Sequence, residues 1–346
     1  MSDKTIRSKC MAIAQCHFLY TPYKNTSTFD LYKADGIANK GSEICHYCTV
    51  DTLNNIIKNG CLRFTDVRFL NDSTEFIEVI DLIKFVLNSN AYTPSFRNFI
   101  RNSDEIRELE SYTQTYSGYS KTAHDFRKIS YHTYTCSFTT NPDSLNMWNY
   151  YGASSGGVNI VFDFAWNLFK GSGKTEVTIG ERLDNDIILY RGLILYSAEH
   201  KIQCVRELLN RLASLFEEAK DDLETYSAPI LYAFKEAINH MRCFFKNEMF
   251  SCEEEYRAVL KIPEDILLKN SSSDEIFDKG NFKRGNILIP YIDYKFKRES
   301  IKRITVNPFI KEDNTMFKLG IENLLWINNL FDVDITHSNI PIRKYD

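Results

Sequence analysis

Between Glu253 and Ile262 the side chains sort by the parity of their positions. Tyr256, Ala258, Leu260 and Ile262 fall on one side of an extended chain, and Glu253, Glu255 and Arg257 fall on the other, because successive side chains of a strand point to opposite faces of its sheet. Such a segment requires a sheet with at least one face packed on a core, and it reads as a half-buried strand presenting two carboxylates. Segments with helical period flank it. Ile202, Val205, Leu208, Leu209, Leu212, Leu215 and Phe216 recur at helical spacing, and a similar stripe runs from Ile230 to Phe245. Strands and helices occurring in runs imply an α+β fold with a helical insertion.

The chain opens with residues 1 to 42, polar and aromatic without clear period, which read as an arm over the core. From Glu43 the pattern is strand, helix, strand, helix. Glu43 to Thr49 is a strand, and Asp51 to Asn59 is a helix with Leu53, Ile56 and Ile57 on one face. Gly60 is its C-terminal cap, and Cys61 to Thr65 is the second strand. Asn71 to Asn88 reads as a helix whose Asp72 and Glu75 have capping-box spacing. Residues 90 to 130 carry little helical signal and form a first insertion, followed by a strand at Tyr131 to Thr139. A short helix from Ser144 to Tyr151 and an apolar strand from Val158 to Phe164 come next. Another strand is expected over Asp186 to Tyr196, then the helical insertion of residues 199 to 247. Strands near Ile287 to Phe296 and Ile301 to Val306 and a helix over Met316 to Leu330 close the chain. Residues 43 to 346 are therefore expected to form one elaborated α+β domain around a single core.

Composition narrows the function classes. A formal net charge of -4 gives no support to a generic nucleic-acid binder held by a basic surface. Nine cysteines without regular spacing and an opening MSDKTIRSKC without an apolar stretch point to reduced thiols in the cytoplasm. No apolar run approaches the roughly 18 residues needed to cross a bilayer.

Several motif-like stretches carry little. Gly171-Ser172-Gly173-Lys174-Thr175 resembles the end of a phosphate-binding loop, but the position of its first glycine is held by Leu168. Cys45 and Cys48 flank His46, yet three residues apart on a strand they face opposite sides, so no metal is expected there. Ala153 to Gly157 is not read as a nucleophile elbow, on the reading that it lacks GxSxG, which sets serine hydrolase chemistry aside. A metal-dependent nuclease built on Asp72, Glu75 and the late glutamates lacks His-rich or paired-Asp spacing.

What remains is a set of polar residues at strand ends: His46 and Tyr47 on the first strand, Ser137 and Thr139 on the third, Trp148 and Tyr151 just after it, and Glu253 and Glu255 late in the chain. Singly, each has an ordinary reading as a satisfied core residue or a surface ion pair. Together they stand in the segments HYCTVDTLNNIIKNGCLRF, FLNDSTE, TCSFTTNPDSLNMWNYYGASSGGVNIVFDF, EEEYRAVL and IKRITVNPF, which resemble the bacterial domain of unknown function numbered 2971 over residues 43 to 165 and 245 to 310. The opening block also looks like the entry motif of ADP-ribosyltransferases, in which a His, an aromatic and a Glu surround NAD.

That resemblance implies an ADP-ribosyltransferase-like fold of mixed or antiparallel sheets, and an NAD-consuming toxin or effector of a bacterial conflict or phage-defence system. Its catalytic residues would be His46, Tyr151 and a glutamate, Glu255 ahead of Glu253, and His46, Tyr47, Thr49, Arg63, Ser137, Trp148 and Tyr151 would be its NAD contacts. NAD would be a consumed substrate, since no GxGxxG fingerprint of a hydride carrier occurs. The acceptor would be protein, nucleic acid or water, an antitoxin or regulatory complex could restrain the activity, and no membrane is involved. The chemistry suits the residue types, because a carboxylate facing an oxocarbenium-like transition state lowers its barrier. The competing reading is a non-catalytic module whose cleft binds a nucleotide or a protein, its charges serving only to order the fold.

Overall fold

A computed structural model describes residues 3–14, 43–71, 78–103, 106–107, 120–124, 127–152, 156–163, 168–169, 180–183, 187–269, 276–310 and 315–342. Asp72 and Glu75, and the glycine-rich stretch at 171–175, lie outside them.

The fold is α+β, and its twelve described strands join into one mixed sheet. β1 (Glu43–Cys48), α2 (Val50–Asn59) and β2 (Cys61–Asp66) follow the expected order, after a helix α1 (Asp3–Ala14) at the start of the chain. Local chemistry explains α2. The Thr49 hydroxyl accepts from the Thr52 N–H at 3.2 Å, Leu53, Ile56 and Ile57 bury one face, and Gly60 closes the helix at φ 62°. Burying each of those three side chains is worth about 1.5–3 kcal/mol. Two helices follow, α3 (Glu78–Leu87) and α4 (Pro94–Arg101).

The strand that organises the sheet is β4 (Arg127–Thr139). One of its edges pairs with β8 (Glu255–Pro263) over the whole length from Tyr131↔Pro263 to Thr139↔Glu255. The other edge is shared. β3 (Ser120–His124) takes its beginning, β2 takes Tyr134 and Thr135, and β1 takes Thr139 alone through Cys45. Because β1 and β2 cannot occupy one edge side by side, the sheet forks at β4. One arm runs from β1 through β5 (Val158–Asp163) and β11 (Ile301–Val306) to β12 (Asp334–His337). The other runs from β2 through β10 (Ile287–Lys295) to β9 (Phe277–Arg284). An aromatic core fills the fork, with Phe162 of β5 at 5.6 Å from Phe296 beyond β10, and Phe138 of β4 at 6.0 Å from Phe162. Beyond β8 lie β7 (Ile188–Leu193) and β6 (Gly180–Arg182).

The remaining helices are α5 (Leu145–Tyr151), α6 (Ala198–Glu218), α7 (Leu223–Met241), α8 (Glu264–Leu268) and α9 (Thr315–Ile327). α6 and α7 gather α1, α3 and α4 into a bundle with its own apolar interior, separate from the sheet core. The expected single core is therefore two large ones. The described part of the N-terminal arm, α1, is an amphipathic helix that buries Ile6, Cys10, Ile13 and Ala14 in the bundle. The bundle docks on the outer face of β7 and β8, where Tyr190, Cys243, Phe244 and Val259 pack together and His240 meets Tyr190 edge-on at 4.6 Å. That docking corrects the reading of β8 as half-buried, since all nine of its residues are buried. Tyr256, Ala258, Leu260 and Ile262 do share the core face, while the bundle covers the charged one. Glu253 is not on the strand at all. It ends a 3-10 turn, Glu248–Glu253, and Glu254 follows at φ 43°.

Candidate functional site

The sheet face that carries Ser137, Thr139, Glu255 and Arg257 is set by the register Ser137↔Arg257 and Thr139↔Glu255. α5 covers it on the β1 side. Trp148 of α5 is buried against Tyr47 with ring centroids 4.6 Å apart, and its indole N–H donates to Asp143 at 2.8 Å. Tyr47 donates to the Asn141 carbonyl at 3.1 Å and accepts from the Ser144 N–H at 2.9 Å. These two aromatics hold α5 in place. The segment Lys246 to Glu253 covers the face on the bundle side.

Between these covers lies a cleft of about 320 Å³. Ser137 and Arg257 line its floor, Tyr150 and Tyr151 one wall, Lys246, Met249, Phe250, Cys252 and Glu253 the opposite wall, and Leu70 and Asn71 its end. Four charges meet at the floor. Arg257 donates to both oxygens of Glu255, Nε to Oε1 at 2.7 Å and Nη2 to Oε2 at 3.0 Å, and to the Cys243 carbonyl at 2.9 Å. Lys246 Nζ bridges Glu255 at 2.9 Å and Glu253 at 2.6 Å. The Ser137 hydroxyl donates to Glu255 Oε1 at 2.5 Å. Lys246 is itself anchored from the bundle, its carbonyl accepting from buried Lys201 at 3.0 Å. Two cations face two carboxylates in a setting where an unpaired charge would be costly.

The two glutamates differ in what they offer. Glu255 is 2 % exposed with both oxygens engaged. Burial alone would raise its pKa, but Arg257 and Lys246 outweigh burial and bring it down to about 2. Glu253 lines the cleft and is held by one cation. Tyr151, 39 % exposed as a residue, has its hydroxyl pushed up to about 12 by burial and by the negative charge of Glu253.

The structure brings Glu253, Ser137 and Tyr151 to the cleft, with Glu255 sealed beside its floor. It does not bring His46. Cys45 shares the face of Thr139 through their pairing, so His46 points to the opposite face, where its ring meets Phe138 at 5.8 Å. His46 Nδ1 lies 3.0 Å from the Ser137 carbonyl, and burial lowers its pKa, so a neutral ring donating from Nδ1 is the consistent tautomer. His46 thus plugs the fork between β1 and β4. Thr49 caps α2, Tyr47 and Trp148 are the packing residues described above, and Arg63 lies on the cleft side of the sheet, ion-paired with Asp293. Arg257, two residues along the strand, pairs with Glu255. Lys246 and Lys201 went unnoticed, since neither stands in the quoted segments, although Lys246 falls within residues 245 to 310. A lysine on an otherwise apolar helix stripe, as Lys201 is, was the available signal.

Gly152 to Gly156 does spell GxSxG, but it leads from helix α5 to strand β5, the reverse of a nucleophile elbow, and residues 153–155 lie outside the described ones. Cys45 and Cys48 belong to different buried clusters on opposite faces. Among the described residues no three His, Cys, Asp or Glu side chains group as metal ligands, and no helix is long and apolar enough to cross a membrane.

Fold and site together define an α+β protein with a charge-floored cleft on one face of a forked mixed sheet. The model of a family described as "Protein of unknown function (DUF2971)" matches residues 147–258. The match begins within α5 and takes in the bundle helices α6 and α7 and the start of β8, so the helical pair read as an insertion falls inside the matched residues. No curated protein and no solved structure matches the chain.

Proposed function

We propose that the cleft takes the nicotinamide end of NAD and that the protein is an NAD-consuming enzyme of the ADP-ribosyltransferase kind, with Glu253 as the carboxylate nearest the bond that breaks. One observation carries this reading: Glu253 is the floor-network carboxylate that lines the cleft, which Tyr151 also lines within reach of its charge. Loss of nicotinamide leaves positive charge on the ribose, which a fixed carboxylate stabilises. The tyrosine rings offer a stacking surface for nicotinamide. Glu255 then acts as a positioning residue through Lys246, which it shares with Glu253. His46 acts further back, by holding the carbonyl of Ser137. A role as toxin or effector of a bacterial conflict system, restrained by an antitoxin, is supported by the sequence resemblance alone.

The second reading is a non-catalytic module that binds a nucleotide or a protein. The double engagement of Glu255 by Arg257 favours it, because a neutralised network orders a fold without doing chemistry. Incubating purified protein and cell extract with labelled NAD, then separating protein, nucleic-acid and small-molecule fractions, decides between them. The enzyme reading expects nicotinamide release by wild type and its loss in Glu253→Gln. Absence of release with every acceptor fraction leaves the binding module.

A further inference from the structure

The arm of the sheet next to the cleft carries a layered stack of planar groups. Arg63 of β2 places its guanidinium carbon 3.6 Å from the ring centroid of Tyr291 on β10, a face-on contact. Asp293, two residues along β10, fixes that plane by accepting from Nε and Nη2 at 2.8 Å each. Beneath, Gly280 of β9 makes room for the ring: a Cβ there would come within 2.6 Å of the Tyr291 hydroxyl. The Arg63 side chain is nonetheless 45 % exposed. Held flat by a bidentate carboxylate and a ring below, it keeps surface open to solvent.

This stack is continuous with the cleft. Phe282 lies 5.7 Å from the Arg63 guanidinium and 5.6 Å from that of Arg284, and Arg284 donates at 2.9 Å to Asn71, which lines the end of the cleft. Register puts them on one face, since Thr65 pairs with Thr135 two residues before Ser137, and Tyr291 pairs with both Thr65 and Gly280. A cleft of about 320 Å³ stands at the low end of the about 300–1,000 Å³ usual for ligand pockets. A dinucleotide or an oligonucleotide reaching it would therefore have to continue outside it.

We propose that Arg63, stacked on Tyr291 and clamped by Asp293, is a nucleobase-stacking platform beside the cleft. A guanidinium plane accepts the face of a base as aromatic side chains do, and it adds cation–π attraction. Lysine cannot replace it, because an ammonium has no plane and cannot take the bidentate carboxylate. The base comes either from a free nucleotide, such as the adenine end of NAD, or from single-stranded nucleic acid acting as acceptor. The proposal rests on the cleft being a nucleotide site, but it concerns binding and not cleavage.

The test is equilibrium binding to the full chain of AMP, of ribose 5-phosphate as the ligand without a base, and of a short single-stranded adenine oligomer. Wild type is compared with Arg63→Ala, Arg63→Lys and Tyr291→Leu, circular dichroism confirming that each is folded. AMP or the oligomer should bind wild type and weaken about tenfold in both Arg63 variants, within the range of one base stack, while ribose 5-phosphate should distinguish none of them. Tighter binding of AMP assigns the base to a free nucleotide, and binding of the oligomer without AMP assigns it to nucleic acid. Arg63→Lys matching wild type, or neither base-bearing ligand binding, overturns the platform. Base binding that persists in a protein unable to release nicotinamide from NAD removes the proposed activity and keeps the platform, so the two failures are distinct.

Discussion

Arg257 grips Glu255 from two residues along the same strand, Nε on one carboxylate oxygen and Nη2 on the other, with both residues no more than 2 % exposed. Sequence alternation places them on one face but does not show that the helical bundle closes over it. The sequence alone suggests that Glu255→Gln leaves the fold intact. With the pair buried, the substitution strands the Arg257 charge, and we expect a loss of about 3–5 kcal/mol, the usual cost of removing one partner of a buried pair. Arg257→Gln should cost a similar amount, and the double variant less than the sum of the two, because neither buried charge is then left alone. Urea unfolding of the three variants and wild type checks this, and additive losses would show that the pair is not coupled.

Acid stability should be limited by groups the fold hides. His240 of α7 has its pKa lowered from the ordinary 6.5 to about 3 by burial and by the nearby Lys261. Glu255 is lowered from 4.5 to about 2, its burial outweighed by Arg257 and Lys246. On both groups the unfolded chain takes up a proton before the folded one does, so stability rises with pH across those windows and falls as pH drops through them. The His240 contribution is complete above about pH 6.5 and is lost toward pH 3, and the Glu255 contribution is lost between about pH 4.5 and 2. His240→Phe keeps a ring between Tyr190 and Phe244 and removes the titration, so its stability should vary less steeply with pH between 6.5 and 3. Equal slopes for variant and wild type in urea midpoints would exclude the histidine as a source.

Gly60 was legible as a helix cap, and the structure adds a second demand on it. Its φ of 62° disfavours any side chain, and a Cβ would come within 2.7 Å of the Arg298 guanidinium, whose Nη2 donates to the Lys58 carbonyl. Gly60→Ala should therefore cost about 1 kcal/mol or more. Thermal unfolding checks the loss. Pairing it with Arg298→Ala, which removes the neighbour but not the backbone strain, separates the two causes.

Signals carried along a single segment were readable. Period two in β8, period 3.6 in α6 and α7, and Gly60 at the end of α2 each depend on neighbours in sequence. β9 was missed because it is an edge strand whose exposed positions are polar, Asp278, Lys279, Asn281 and Lys283 among them, so it shows no apolar alternation. The site was harder to see for a different reason. Whether His46 and Glu255 share a face depends on one cross-strand pair, Cys45 with Thr139, and no local pattern encodes that register. Lys246 enters the site from the end of the bundle, and only the docking of the bundle on β7 and β8 reveals what it bridges.

Glu253→Gln is the substitution that separates chemistry from scaffolding. Glu253 ends a 3-10 turn, lines the cleft and is held by Lys246 at 2.6 Å, while Lys246 keeps its second contact with Glu255 at 2.9 Å. The neutral variant therefore leaves Lys246 paired, and we expect a folded protein with stability close to wild type. If the carboxylate faces the ribose as nicotinamide leaves, single-turnover cleavage of NAD should fall about 10²- to 10³-fold, the range for removing one fixed electrostatic stabiliser. Glu253→Asp should recover part of the rate, since it restores the charge at a shorter reach. Glu255→Gln should lose activity together with stability, so its rates belong beside an unfolding curve. The decisive comparison is Glu253→Gln with wild type at equal folded concentration. Unchanged cleavage in this variant would assign the chemistry elsewhere, whereas a large loss with an unchanged urea midpoint would place the reacting carboxylate on the turn and not on the strand.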